Sequence, residues 1–405
     1  MNPAGPDTEV VTHVVTDFRL AQARESRLAW YFAGAYLLVI VYASLSPFSG
    51  WATPGAPPLA FLDEPWPRRW QRFDLFINAA AYLPLGLLLT LGAMRMTWPA
   101  LAVVLATLAG AALSLVMETA QMYLPARVAS SVDLIANTVG TLVGALLAAR
   151  TGRMPLWAHV RDLRYRWCLP GRVAEPGLAL VAIWFLSQLD PSLPLMSLRA
   201  LPDTLPIPGT GFIPPSAFSV GSATAVAINT LAVCLFVMAL VRRRWHALAA
   251  MLSLLAMAAL IKFGAGLAML KAEAAFIWLS DEVLVGIGAG AALAGLMVAL
   301  PRAAVTGVGI FVLCLSFLSI HLYESPLQPL EALWPFRWNY GQLLNYTGLA
   351  RTVAELWPLV AALYLFRLRR LLRRGVLSGE GRDGLAAPGS PPGGTPGSAR
   401  GGHGA

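Results

Sequence analysis

Apolar residues fall in long unbroken runs along this chain, separated by short segments rich in Pro, Gly, Arg and Trp. Most runs have the roughly 18 to 25 residues that an α-helix needs to cross a hydrocarbon layer about 30 Å thick. They predict spans at 29–48, 73–91, 99–123, 132–149, 176–189, 217–241, 247–270, 283–300, 303–322 and 348–366. The fifth is short and is interrupted near Asp190–Pro191. Polar and apolar positions do not alternate, so a β-barrel is excluded. The predicted fold is all-α: a polytopic integral membrane helical bundle with about ten transmembrane helices.

The polar breaks divide the chain into five parts. Residues 1–28 form a polar N-terminal segment, 29–149 a four-span unit, 150–175 a basic linker, and 176–374 a six-span unit. The tail, 375–405, is so rich in Gly, Pro and Ser that it cannot bury a core and is expected to be disordered. Trp66, Trp70, Trp334 and Trp338 stand near predicted span ends, where interfacial anchors sit.

Composition agrees with the pattern. Of 405 residues, 57% are hydrophobic and only 13% are charged, whereas a soluble domain carries about a quarter charged residues. The formal net charge of +9 therefore reports orientation, not a nucleic-acid partner. Arginines gather at Arg19, Arg24 and Arg27, at Arg150 to Arg166, at Arg242 to Arg244, and at Arg367 to Arg374. With ten spans all of these fall on the N-terminal side, so the positive-inside rule predicts both termini on the cytoplasmic side of an inner (cytoplasmic) membrane. Arg68, Arg69 and Arg72 oppose this, softened by Asp63 and Glu64. The opening residues lack the order of a signal peptide, so the first span is expected to serve as the targeting signal. The scattered Cys168, Cys234 and Cys314 predict neither a disulfide framework nor a metal site, and no cofactor is expected.

Ionisable and amide side chains inside spans are costly unless paired, which makes each a candidate for function. Most occur in the first four spans. Asp74, Asn78 and Tyr82 recur at i, i+4 and i+8, within about 60 degrees on one helical face, followed by Pro84 and Gly86. Glu118 and Gln121 share a face at the end of the third span, before Pro125 and Arg127. The fourth begins at Ser130–Ser131, a predicted N-cap, and presents Asp133, Asn137, Gly140 and Gly144 on one face. The Gly140–Gly144 strip is a small-residue surface for close helix packing. Topology puts Asp74, Asn78, Glu118, Gln121, Arg127, Asp133 and Asn137 at one depth near the outer leaflet. Three acids around one arginine leave an excess of acceptors, met by a protonated carboxyl, a second cation or a ligand. Interhelical hydrogen-bond glue is the competing reading for any single residue.

The pattern of Asp74, Asn78, Tyr82, Pro84 and Gly86, then Glu118 and Gln121, then Arg127, Ser130, Asp133, Asn137 and Gly140, resembles the VanZ-like membrane protein family. Tyr82 stands where phenylalanine is common, and Ala129–Ser130 replaces a Gly/Ser-rich approach to the aspartate. The resemblance covers about residues 30–150. It implies a bacterial envelope protein, since the family takes its name from a member conferring low-level teicoplanin resistance, and it implies no reaction.

Three functions follow as expectations. The first is non-enzymatic binding of membrane lipid headgroups, a lipid-linked cell-wall precursor or a glycopeptide antibiotic, with Arg127 meeting an anionic group. The second is an enzyme on a lipid-linked substrate, with Glu118 or Asp133 as general base; no lipid-phosphatase motif or nucleophile–base pair accompanies them. The third is a transporter, which lacks matched discontinuous helices. In the later spans, Lys262 is expected to snorkel toward an interface or to pair. Arg351 and Glu355, at i, i+4, are expected to pair with each other, or to line an outward cavity with Asn345. His246 and His321 lie too far apart for a shared metal site.

Overall fold

The computed structural model describes residues 26–46, 48–63, 72–152, 154–169, 173–191, 193, 195–196, 218–272, 276, 278–322 and 340–373. Trp66, Trp70, Trp334, Trp338, the arginines before residue 27 and the tail expected to be disordered lie outside them. The described residues form eleven α-helices: α1 Leu28–Leu45, α2 Arg72–Ala93, α3 Pro99–Gln121, α4 Ser131–Thr151, α5 Pro155–Trp167, α6 Ala174–Ser187, α7 Val220–Leu240, α8 Arg244–Met269, α9 Asp281–Leu296, α10 Arg302–Leu322 and α11 Tyr340–Arg373.

Nine of these are long and apolar enough to cross a membrane. The fifth predicted span, 176–189, corresponds to α6, an apolar helix of only 14 residues. Its helical path is about 21 Å at 1.5 Å per residue, short of the hydrocarbon thickness. The sequence therefore gives ten apolar runs, but nine of spanning length. Large apolar side chains such as Phe76, Leu108, Phe311 and Leu363 are exposed on the outside of the helices, as lipid-facing positions are. Residues 150–175, basic enough to read as a linker, include α5, a helix bearing Arg164 and Arg166 in its last turn.

The first four helices pack around the α2–α4 contact, where small residues let backbones meet. A Cβ on Gly140 would overlap the Ala79 carbonyl, one on Gly144 the Leu83 carbonyl, and one on Gly86 the Thr141 carbonyl. Pro84 sits inside α2 without ending it. The later helices surround α7: 78% of its span is buried, against at most 44% for any other. Phe236, Trp184 and Trp357 fill the aromatic centre of that half.

The two halves are joined at α1. Near its N-terminus, Arg27 N–H donates to Glu175 Oε2 at 2.8 Å, and Glu175 Oε1 receives Arg164 Nη2 at 2.8 Å. Arg164 also reaches the Ser26 hydroxyl, while Arg95 donates to the Ser26 carbonyl. Near its C-terminus, Tyr42 accepts a hydrogen bond from the Thr352 hydroxyl of α11 at 3.1 Å.

Candidate functional site

The sequence cluster gathers at one end of α2, α3 and α4, and the structure divides it into two groups. Glu118, Asp133, Asn78, Asp74, Tyr82 and Asn137 form one. Gln121 and Arg127 turn away from it toward α1.

Asp74 and Asp133 occupy the first turns of α2 and α4, where exposed helix N–H groups favour negative charge. Asn78 lies against the Asp133 carboxyl, with Asp74 close by. Ser130 caps α4 by accepting the Val132 N–H at 3.2 Å, and its own N–H donates to Glu118 Oε2 at 2.9 Å. This exchange resembles a capping box assembled from two helices instead of one. It holds Glu118, 3% exposed, at the mouth of α4.

One turn deeper, Asn137 Nδ2 donates to Ser114 Oγ at 2.9 Å, both residues buried. The Tyr82 hydroxyl faces Ser114 and Glu118 and makes no hydrogen bond of good geometry among the described residues. Asn137 Oδ1 is also without a partner there. Tyr82 is 4% exposed and Asn137 5%, so each is a buried polar atom of the kind that ordinarily requires a partner. Ser114 was not singled out from sequence. Its signal was its place four residues before Glu118, on the same face of α3.

Arg127 corrects the picture of three acids around one arginine. Its Nε and Nη2 donate to the Ser46 carbonyl at 3.1 and 2.7 Å, and Nη2 also donates to Ala43 O at 2.9 Å. Gln121 Nε2 donates to Ser44 O at 3.0 Å. These carbonyls belong to the last turn of α1 and the residue after it, which helix geometry leaves without internal donors. Burial pulls the Arg127 pKa below the usual guanidinium value. Arg127 and Gln121 thus bind the end of a helix, leaving the acidic group rich in acceptors. The three carboxyls do not come together as a metal-binding set among the described residues.

Two expectations for the later helices change as well. Lys262 does not snorkel: it is fully buried and its Nζ donates to the Asp190 carbonyl at 2.7 Å. Among the described residues Arg351 pairs with Asp190, at 3.9 Å, rather than with Glu355. The side chain of Asn345 lies outside the described residues.

No curated protein and no solved structure matches the chain. The N-terminal part, residues 21–152, matches the model of the VanZ/LLP1 family, a stretch that takes in α1 to α4 and every residue of the polar cluster.

Proposed function

We propose that this protein is a multi-pass bacterial envelope protein of the cytoplasmic membrane. Its VanZ-like unit binds a donor-rich polar group at the outer end of α2, α3 and α4, without chemical turnover. The observation that carries this reading is the surplus of acceptors. The Glu118, Asp133 and Asp74 carboxyls lie near one another at the ends of their helices, and Asn137 Oδ1, one turn deeper, has no partner among the described residues, while Arg127 is directed to α1. A ligand presenting hydroxyls or an amine answers that surplus. Lipid headgroups, lipid-linked cell-wall precursors and glycopeptides, through their sugar hydroxyls, all belong to this class. Arg127, which the sequence suggested as the phosphate contact, is assigned to holding α1 instead.

The test is binding of teicoplanin and of a lipid-linked cell-wall precursor to the full-length protein in lipid nanodiscs. Glu118→Gln and Asp133→Asn keep side-chain size and replace an acceptor oxygen with a donor. Each should weaken binding about tenfold or more, the effect of losing a hydrogen bond to a charged group. Wild-type affinity in both variants refutes the proposal. Turnover of the precursor would replace binding with catalysis.

A further inference from the structure

Outside the VanZ/LLP1 match, three consecutive arginines, Arg242, Arg243 and Arg244, stand exposed at the turn from α7 to α8. A fourth reaches the same turn from the start of α10: Arg302 Nη2 donates to the Val241 carbonyl at 2.7 Å and to the Arg242 carbonyl at 2.9 Å. Arg244 Nη1 donates to the Ala299 carbonyl at 2.8 Å. α5 fixes the turn from another side. The Arg242 N–H donates to the Trp167 carbonyl at 2.7 Å, and the Trp167 ring stacks on His246 with centroids 4.9 Å apart. The arginines are thus held at a rigid turn, and none of the four forms an ion pair among the described residues.

Next to these charges the surface turns apolar. Trp245, Leu248 and Leu252 lie within about 60 degrees on one face of α8 and are 70%, 51% and 57% exposed. Ala247, Met251 and Leu254 form the opposite, buried face, so α8 packs through one side and leaves the other open. The Arg243 guanidinium stands 5.5 Å from the centre of the Trp245 ring, a cation–π contact that keeps its charge at the head of the apolar stripe. Neither Arg242 nor Arg243 spends a side-chain N–H on a hydrogen bond among the described residues. Arginine, then indole, then hydrocarbon along a spanning helix follows the profile of a bilayer from headgroup to acyl chain. A free anion would engage the arginines alone. The stripe that continues from them suits an anion that carries hydrocarbon.

We infer that the α7–α8 turn is a binding site for a phospholipid of net negative charge from the adjoining leaflet. Arg242, Arg243 and Arg244 meet its phosphate, and an acyl chain lies along Trp245, Leu248 and Leu252. A zwitterionic phospholipid offers the same phosphate but carries its own cation, which the arginines repel. The site is separate from the cluster at Glu118 and does not depend on its assignment.

The experiment is thermal unfolding of the full-length protein in a neutral detergent, titrated separately with short-chain phosphatidylglycerol, short-chain phosphatidylcholine and inorganic phosphate. A saturable rise in Tm with phosphatidylglycerol, at clearly higher affinity than with either of the others, supports the site. The double variant Arg242→Gln, Arg243→Gln should then weaken the apparent affinity about tenfold or more. Arg150→Gln with Arg373→Gln is the charge-matched control. Both side chains are exposed at the ends of other helices, so this pair should leave the affinity unchanged. No saturable response to phosphatidylglycerol overturns the inference. So does equal affinity for phosphatidylcholine or inorganic phosphate, and so does an equal loss in the two double variants, which would mean a general attraction between a basic protein and an anionic lipid.

Discussion

Replacing Gly140 with Ala tests how the helices of the VanZ-like unit hold their site. The added Cβ would stand 2.7 Å from both the carbonyl carbon and the Cα of Ala79, and closer still to the carbonyl oxygen. Real Cβ atoms essentially never approach below 3.0 Å, and the obstacle is backbone, which cannot rotate away. α4 must therefore retreat from α2 by on the order of 1 Å, and a gap of 0.5 to 1 Å forfeits about a quarter to a half of each contact's dispersion energy. Packing of this kind is a main force between helices in lipid, so a loss of about 1 to 3 kcal/mol is expected. Gly264→Ala is the control: its Cβ meets nothing within 4 Å, and the change should be neutral or stabilise by up to about 1 kcal/mol through helix propensity. Reversible unfolding of both variants in detergent, followed by helical circular dichroism, measures the difference. The retreat would also draw Asn137 from Ser114, so ligand affinity should fall with stability. Equal stability of Gly140→Ala and Gly264→Ala would refute the close α2–α4 contact.

Arg127→Ala should loosen the end of α1, giving faster proteolysis and lower membrane abundance as well as any loss of function; Glu118→Gln should leave abundance unchanged. Quantitative immunoblotting of membranes separates the two, and normal abundance of Arg127→Ala would contradict the capping role. Glu175→Ala removes the carboxylate shared by Arg27 N–H and Arg164, whose side chains in the ion pair are 1% and 9% exposed for Glu175 and Arg164. Removing one partner of a buried ion pair costs about 3 to 5 kcal/mol, so the variant should unfold at markedly lower denaturant than wild type. A small change would mean that water already reaches the pair.

The apolar runs made most of the bundle readable from sequence, because a spanning helix must satisfy its backbone internally and present hydrocarbon over its whole length. α5 escaped because a short basic helix has the composition of a linker. The placement of Asp74, Asn78, Glu118 and Asp133 at one end followed from helical periodicity and the order of the spans. The fate of Arg127 did not, since its partners, the carbonyls of Ala43 and Ser46, lie more than 80 residues earlier and reach it only through tertiary packing. Lys262 illustrates the same limit. Snorkelling is a property of a helix facing lipid, and nothing local in α8 reveals that Asp190, 72 residues away, covers this lysine.

The C-terminal end of α1 is gripped from both halves of the chain, by Gln121 and Arg127 on one side and by Thr352, the residue after Arg351, on the other. Such an end can transmit force. Under the proposed function, an occupant at Glu118 that shifts Gln121 or Arg127 would move the same turn of helix that Thr352 holds, and so reach α11 in the second half. Thermodynamic reciprocity makes such a coupling run both ways: whatever moves this end of α11 alters the proposed binding at Glu118 by the same factor that binding returns to it.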